Sequence, residues 1–298
     1  MLVMVIGAKG QLGTALCSAF QDGEVIQVDK DTATYAVDIR DRGAVQACMD
    51  GLKPDLVINT AAEHELKVCE AHPDHSFSVN VSGALWVAQA CGEAGSRLVH
   101  ISTDYVFGGD SAKRTVPYCE TDCPNPLNVY AASKLAAEHL VAANCDNHII
   151  VRTAALYGLA PCRGKGGRNF VETMLSRAAA GGEIRVVDDE FTTPTYTVAL
   201  ARQLKVLAEH AAPGLYHATC GGACSWYEFA SAIFEDLGIK ANLVKAKSLE
   251  FQSEVRRPTY TVLENRRARD AGLDVMPSWR DALKDYTAAR RRAADAAV

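Results

Sequence analysis

The sequence predicts an α/β chain organised around a doubly wound parallel sheet, with a smaller second domain toward the C terminus. Three observations predict it. Apolar runs without polar alternation recur through the first half, as expected of strands buried on both faces. Amphipathic stretches of helical period separate them. A glycine-rich turn, Gly7-Ala8-Lys9-Gly10-Gln11-Leu12-Gly13, follows the first apolar run at once and opens the first helical stretch.

Taken in order, Leu2 to Ile6 reads as a strand and Gln11 to Phe20 as a helix. Val25 to Val28 is a second strand and Arg42 to Leu52 a second helix. Leu56 to Asn59, Leu98 to Ser102 and Ile149 to Arg152 are further strands, with helices around Phe77 to Glu93 and Tyr130 to Ala143. This alternation places crossover helices on both faces of the sheet. Beyond Gly158 the rhythm loosens. Cys162 to Arg168, glycine-rich and basic, reads as a flexible loop. Later helices such as Trp226 to Leu237 lie among loops holding Thr192 to Thr197 and Arg256 to Tyr260. The expected division is residues 1–160 for the sheet and 161–298 for a smaller domain over its carboxyl edge, with some segments returning to the sheet. The Ala-Arg-rich stretch from Ala288 reads as a frayed helix.

Composition narrows the function classes. Across 298 residues, 31 basic and 36 acidic side chains leave a net charge of -5, which argues against a nucleic-acid binder. Ten cysteines lack a paired framework, and Cys220 to Cys224 has neither a second pair nor a histidine cluster, so no metal site is expected. They read as small apolar residues of a reducing compartment. The opening Met1 to Ile6 is too short for a secretory h-region, and nothing approaches a membrane span. A cytoplasmic protein without membrane partners is expected.

The glycine turn carries the first functional expectation, a dinucleotide site of the Rossmann type. Gly7 permits the tight turn, Gly10 lets backbone approach a pyrophosphate, and Gly13 lets the helix pack closely on the sheet. The helix N-terminus presents free N–H groups to the anion. Asp29, ending the second strand, can accept hydrogen bonds from ribose hydroxyls, which favours NADH. Lys30 beside it keeps NADPH open. Asp38 and Ile39 are placed to flank the adenine.

The second expectation is catalytic. In Asn128-Val129-Tyr130-Ala131-Ala132-Ser133-Lys134, Asn128 is an N-cap candidate, and Tyr130 and Lys134 share one helical face. An ammonium close to a phenol stabilises the phenolate, so Tyr130 can serve as a proton donor to a nascent alkoxide. Ser102-Thr103-Asp104 sits at the carboxyl end of a buried strand, where Thr103 can orient a carbonyl for hydride attack.

With these residues in place the sequence resembles the extended short-chain dehydrogenase/reductase family, and within it the reductases of nucleotide-activated keto sugars. The resemblance runs from Gly7 to Gly13 through Ile58 to Ala62, Ser102 to Phe107, Tyr118 to Asp122 and Pro126 to Leu135. It continues through Arg152-Thr153, Asn169-Phe170, Thr193 to Thr195, Ser225 to Phe229 and Arg257-Pro258. It implies hydride delivery to C4 of a 4-keto-6-deoxyhexose, with Tyr130 as the acid and a nucleotide sugar as substrate. Gly10, Gln11 and Leu12 would contact the pyrophosphate. Ala61 and Ala62 would lie along the cofactor, which Lys134 also reaches, and Thr103 and Asp104 would contact the sugar. Asn80 takes the position of the family's bracing asparagine. Arg257 is a candidate for the substrate diphosphate or a solvated arginine ahead of a proline. Homodimers also occur in the family.

Two departures fall on the substrate wall. Ala155 stands where the family commonly has a tryptophan, and Glu63 to Lys67 replaces the usual run after Ala61-Ala62. His64 there is a candidate for substrate contact or loop packing. Two rivals stay open: a dehydratase or epimerase of the same fold, and a non-catalytic dinucleotide-binding regulatory subunit. Tyr105 after Thr103-Asp104 removes the second acid expected of dehydratases.

Overall fold

A computed structural model describes residues 1–31, 34–110, 114–251 and 253–295. Its centre is a seven-stranded sheet, formed by β1 (Leu2–Ile6), β2 (Glu24–Asp29), β3 (Tyr35–Ala36), β4 (Leu56–Asn59), β5 (Arg97–Thr103), β6 (His148–Thr153) and a strand at Gly214–His217. Every pairing is parallel. From one edge the order is Gly214–His217, β6, β5, β4, β1, β2, β3. The chain therefore starts in the middle at β1, builds outward through β2 and β3, then returns to lay β4 on the other side. That reversal opens a crevice at the carboxyl ends of β1 and β4.

The strands read apolar on both faces because both faces are covered. On one, α1 (Gln11–Ala19) buries Leu12 and Leu16 against Leu200, Leu204 and Leu207 of a helix at Thr197–His210. On the other, α2 (Arg42–Leu52) contributes Val45 and Met49, a helix at Ala84–Ala94 contributes Val87 and Ala88, and one at Val129–Asn144 contributes Ala137 and Val141. A third apolar core gathers from Tyr157 onward, where the rings of Phe229 and Tyr286 pack on Tyr157, both with centroids at 5.3 Å. The chain is not cleanly divided, since Thr197–His210 and Gly214–His217 return to the main sheet. Among the described residues no helix is long and apolar enough to cross a membrane.

Three expectations are corrected. The helix expected around Phe77 to Glu93 is continuous but irregular, with α4 (Pro73–Phe77) running through a π-helical turn at Ser78–Gly83 into α5 (Ala84–Ala94), and a short α3 (Leu66–Ala71) precedes it. The π turn inserts an extra residue and faces Asn80 inward, and Gly83 lets α5 pass Ile39, whose Cδ1 would lie 2.7 Å from an added Cβ. The loop expected at Cys162 to Arg168 carries a 3-10 turn at Arg163–Lys165, closed by a Cys162–Gly167 bridge. The stretch from Ala288 is no frayed end. It continues a helix, Trp279–Asp295, in which Arg290 pairs with Glu172 at 2.5 Å and Arg291 donates to the Asp236 carbonyl. Residues 296–298 lie outside the described chain.

The crevice depends on α1 lying against the β1 turn. A Cβ at Gly13 would sit 2.1 Å from the Gly7 carbonyl oxygen and 2.8 Å from Ala8 Cα. Backbone on both sides leaves nothing that can swing away. Gly13→Ala is expected to destabilise the fold by about 1–3 kcal/mol through overpacking, read as a lower urea midpoint at unchanged m-value.

Candidate active site

The glycine turn shapes one wall of the crevice. Gly7 has φ of 81°, and a Cβ there would lie 2.5 Å from Thr60 Oγ1 on the exit of β4. Gly10 caps α1 without a side-chain acceptor, which leaves the first-turn N–H groups facing the crevice. Asp29, buried at the end of β2, accepts the Lys9 N–H at 3.0 Å and the Lys30 N–H at 2.9 Å. A bare helix terminus and, on the next strand, an anchored carboxylate form the donor and acceptor set that a pyrophosphate and an adenosine ribose require. These residues fit a dinucleotide.

Some expected contacts are placed differently. Leu12 is buried in the core, and Gln11 turns its side chain to the Ala160 carbonyl at 3.1 Å, so any pyrophosphate contact from this pair is through backbone. Ile39 is likewise a core residue, and Asp38 pairs with Arg40 at 2.5 Å, which holds its carboxyl below the usual range. Ala61 and Ala62 stand half-buried opposite Gly7, the Ala61 N–H held by Asn59 Oδ1 at 3.1 Å.

The catalytic candidates meet at the end of β5. The helix α6 (Val129–Asn144) is pinned at its start: Asn128 accepts the Ala131 N–H at 2.9 Å as the sequence predicts, and Glu70 accepts the Val129 N–H at 2.9 Å. This brings the Tyr130 phenol beside Thr103, which lowers its pKa in opposition to burial. Asn80 braces the arrangement, donating to Ser133 Oγ at 2.9 Å and to the Glu63 carbonyl at 2.9 Å, while Ser133 donates to the Tyr130 carbonyl at 2.7 Å.

Lys134 departs from expectation. Its side chain is buried, and Nζ lies 3.4 Å from His100 Nε2 on β5 instead of beside the phenol. Burial pushes its pKa down to about 8, against the opposing charge of Glu138. Burial also raises the Tyr130 phenol above its ordinary value, rather than a neighbouring ammonium lowering it. His100, buried beside Lys134, is held well below its usual pKa.

Asp104 is buried next to Thr103, which donates to it at 3.1 Å. Desolvation raises its pKa to about 6, opposed by hydrogen bonds from Thr261 and Thr103. Arg257 is exposed at the opening, and its charge stabilises the carboxylate of Glu190, which burial raises. Glu190 also meets the Trp226 side chain. Ala155 adopts a left-handed φ of 43° and takes the Thr195 N–H on its carbonyl at 3.2 Å. His64 packs against the 162–167 turn, with Nε2 3.5 Å from Cys162 Sγ. Among the described residues no group of three or more His, Cys, Asp or Glu is placed to hold a metal ion.

Sequence reasoning missed His100, Thr261, Glu190 and Glu138. None has a motif spacing, because each reaches the site from a different element. Glu138 alone left a trace, continuing the Tyr130–Lys134 stripe by one more turn. It accepts two bonds from Arg152 of β6, at 2.9 and 2.7 Å, and one from Ser102.

The family model described as "RmlD substrate binding domain" matches residues 1–292. The chain is 39% identical over 295 residues to the spore coat polysaccharide biosynthesis protein SpsK of Bacillus subtilis, covering 98% of this chain and 99% of that protein. It is 36% identical over 284 residues to a dTDP-4-keto-6-deoxy-D-glucose reductase of Streptomyces niveus, covering 94% of each. The crystal structure of a dTDP-4-dehydrorhamnose reductase from Bacillus anthracis in complex with NADP superposes with a TM-score of 0.89 at 35% identity, over 96% of this chain and 98% of that one.

The buried Arg152–Glu138 pair gives the site a measurable dependence. Arg152→Met leaves the buried Glu138 without its partner and is expected to cost about 3–5 kcal/mol, whereas Arg152→Met with Glu138→Leu recovers most of the loss. Urea melts of the single and double variants check this.

Proposed function

The chain belongs to the RmlD substrate binding domain family, and we propose that it reduces the C4 keto group of a dTDP-activated 4-keto-6-deoxy sugar. The favoured substrate is dTDP-4-dehydro-L-rhamnose, giving dTDP-L-rhamnose. One observation carries the reading: Tyr130 and Thr103 adjoin at the carboxyl end of β5, beside the dinucleotide crevice, close enough for Thr103 to lower the phenol's pKa against burial. A ketone oxygen placed between them would take a donor from each side.

A bound nicotinamide dinucleotide supplies the hydride; the glycine turn and Asp29 would hold it. Thr103 polarises the ketone and fixes its face. Tyr130 gives its proton to the oxygen as the C4 alkoxide develops. Burial keeps the phenol protonated, so Tyr130 has a proton to give. Lys134, one turn along α6, keeps its ammonium against His100, from where it would hold the nicotinamide ribose. Asp104 accepts from a sugar hydroxyl, and Arg257 with Glu190 lies at the opening where the diphosphate enters. The third apolar core, from about residue 161, is the substrate-binding lobe. Ten free cysteines fit a cytoplasmic setting.

A second reading keeps the chemistry and changes the sugar. Ala155 leaves the substrate wall without a large ring, and the Streptomyces niveus relative is named for a D-glucose derivative. Loss of NADPH absorbance with dTDP-4-dehydro-L-rhamnose and with dTDP-4-keto-6-deoxy-D-glucose as substrates separates the two. Tight cofactor binding with turnover of neither would point to a regulatory subunit.

Tyr130→Phe is expected to lower kcat by about 10²–10⁴-fold with cofactor affinity unchanged. Asp104 is a carboxylate only above about 6, and Lys134 an ammonium only below about 8. A plot of kcat/KM against pH should therefore fall on both sides of that window. Asp104→Asn should remove the acid limb and Lys134→Met the alkaline one.

A further inference from the structure

The segment between β7 (Leu156–Tyr157) and α7 (Phe170–Ala180) crosses the mouth of the dinucleotide crevice. One end is tied down by Gln11, which donates to the Ala160 carbonyl. Gly164 lies against the His64 ring on the opposite wall, where an added Cβ would come within 2.3 Å of Cε1. Between them Arg163 reaches across to the end of β2. Its Nη1 is 3.2 Å from Asp29 Oδ1 and its Nη2 is 3.0 Å from Asp31 Oδ2.

That placement resolves a conflict of charge. Asp29 is buried, and both of its oxygens accept backbone N–H groups at the end of β2. An anchored carboxylate there suits a free 2′-hydroxyl and repels a 2′-phosphate. The side chain of Arg163 is 39% exposed, so its planar fork can turn from the two carboxylates to a phosphate with little rearrangement. Lys30 follows Asp29 and adds a point charge. Arg163 adds a fork already held at the carboxylate.

We propose that Arg163, carried on the strap over the crevice, is the residue that lets this Asp29-bearing site accept the 2′-phosphate of NADPH. Arg163 thus sets cofactor preference, and the strap closes more firmly on NADPH than on NADH. The inference rests on the dinucleotide-binding reading above, so its test uses binding without sugar.

Fluorescence titrations of NADPH and NADH with the wild-type protein, Arg163→Ala, Arg163→Lys and Lys30→Ala decide it. Arg163→Ala should weaken NADPH by about tenfold or more while NADH stays within about twofold, and Arg163→Lys should recover part of the loss. Added salt should weaken NADPH more steeply for the wild type than for Arg163→Ala. Equal weakening of both cofactors would make Arg163 a fastener of the strap and overturn the proposal. So would an unchanged NADPH affinity, or a selective loss seen only in Lys30→Ala. A wild-type protein that binds neither dinucleotide would overturn the oxidoreductase reading, and this inference with it.

Discussion

Glu138 must be satisfied inside the protein, and the rest of the site follows from how this is done. Its carboxylate stands on α6 but takes its hydrogen bonds from Ser102 on β5 and Arg152 on β6. Leaving any of these groups unpaired in the interior is expensive, so helix and sheet can meet only in the rotation that joins them. Once that rotation is set, Lys134 one turn back falls on His100, and Tyr130 a further turn back falls on Thr103. A single helical stripe at spacing four thus carries a buried ion pair, the Lys134–His100 contact and the catalytic candidate Tyr130.

The polar interior does not strengthen the fold so much as specify it. Apolar residues of similar volume in place of Arg152 and Glu138 would hold α6 to the sheet about as well. They would not define its register to a fraction of an ångström. The Asn80–Ser133 bond acts in the same way from the other side, and it exists because the π turn at Ser78–Gly83 faces Asn80 inward. Local irregularity in a helix is here the means of positioning a polar side chain.

Charge is managed differently at the two ends of the crevice. At the end of β5, burial sets the character of Asp104 and Lys134, moving the acid up and the base down until both lie near neutrality. At the end of β2, ion pairs take over, with the half-exposed Arg163 reaching from the strap to Asp29 and Asp31. Deep groups respond to desolvation and shallow ones to their neighbours.

The sequence by itself determined the order of the main strands and helices and the glycine turn at β1, and it put forward the catalytic candidates. These are local signals: unbroken apolar runs, glycines where a Cβ would strike backbone, and Tyr130 and Lys134 one turn apart. Only the tertiary structure decided where long side chains go. Lys134 turns to His100 instead of Tyr130, Ile39 and Leu12 enter the core, and a loop that reads as loose spans the crevice to Asp29. The reason is physical. Periodicity states which face a residue occupies, but a flexible side chain chooses its partner among atoms brought near by distant segments, and no spacing in the chain encodes that choice.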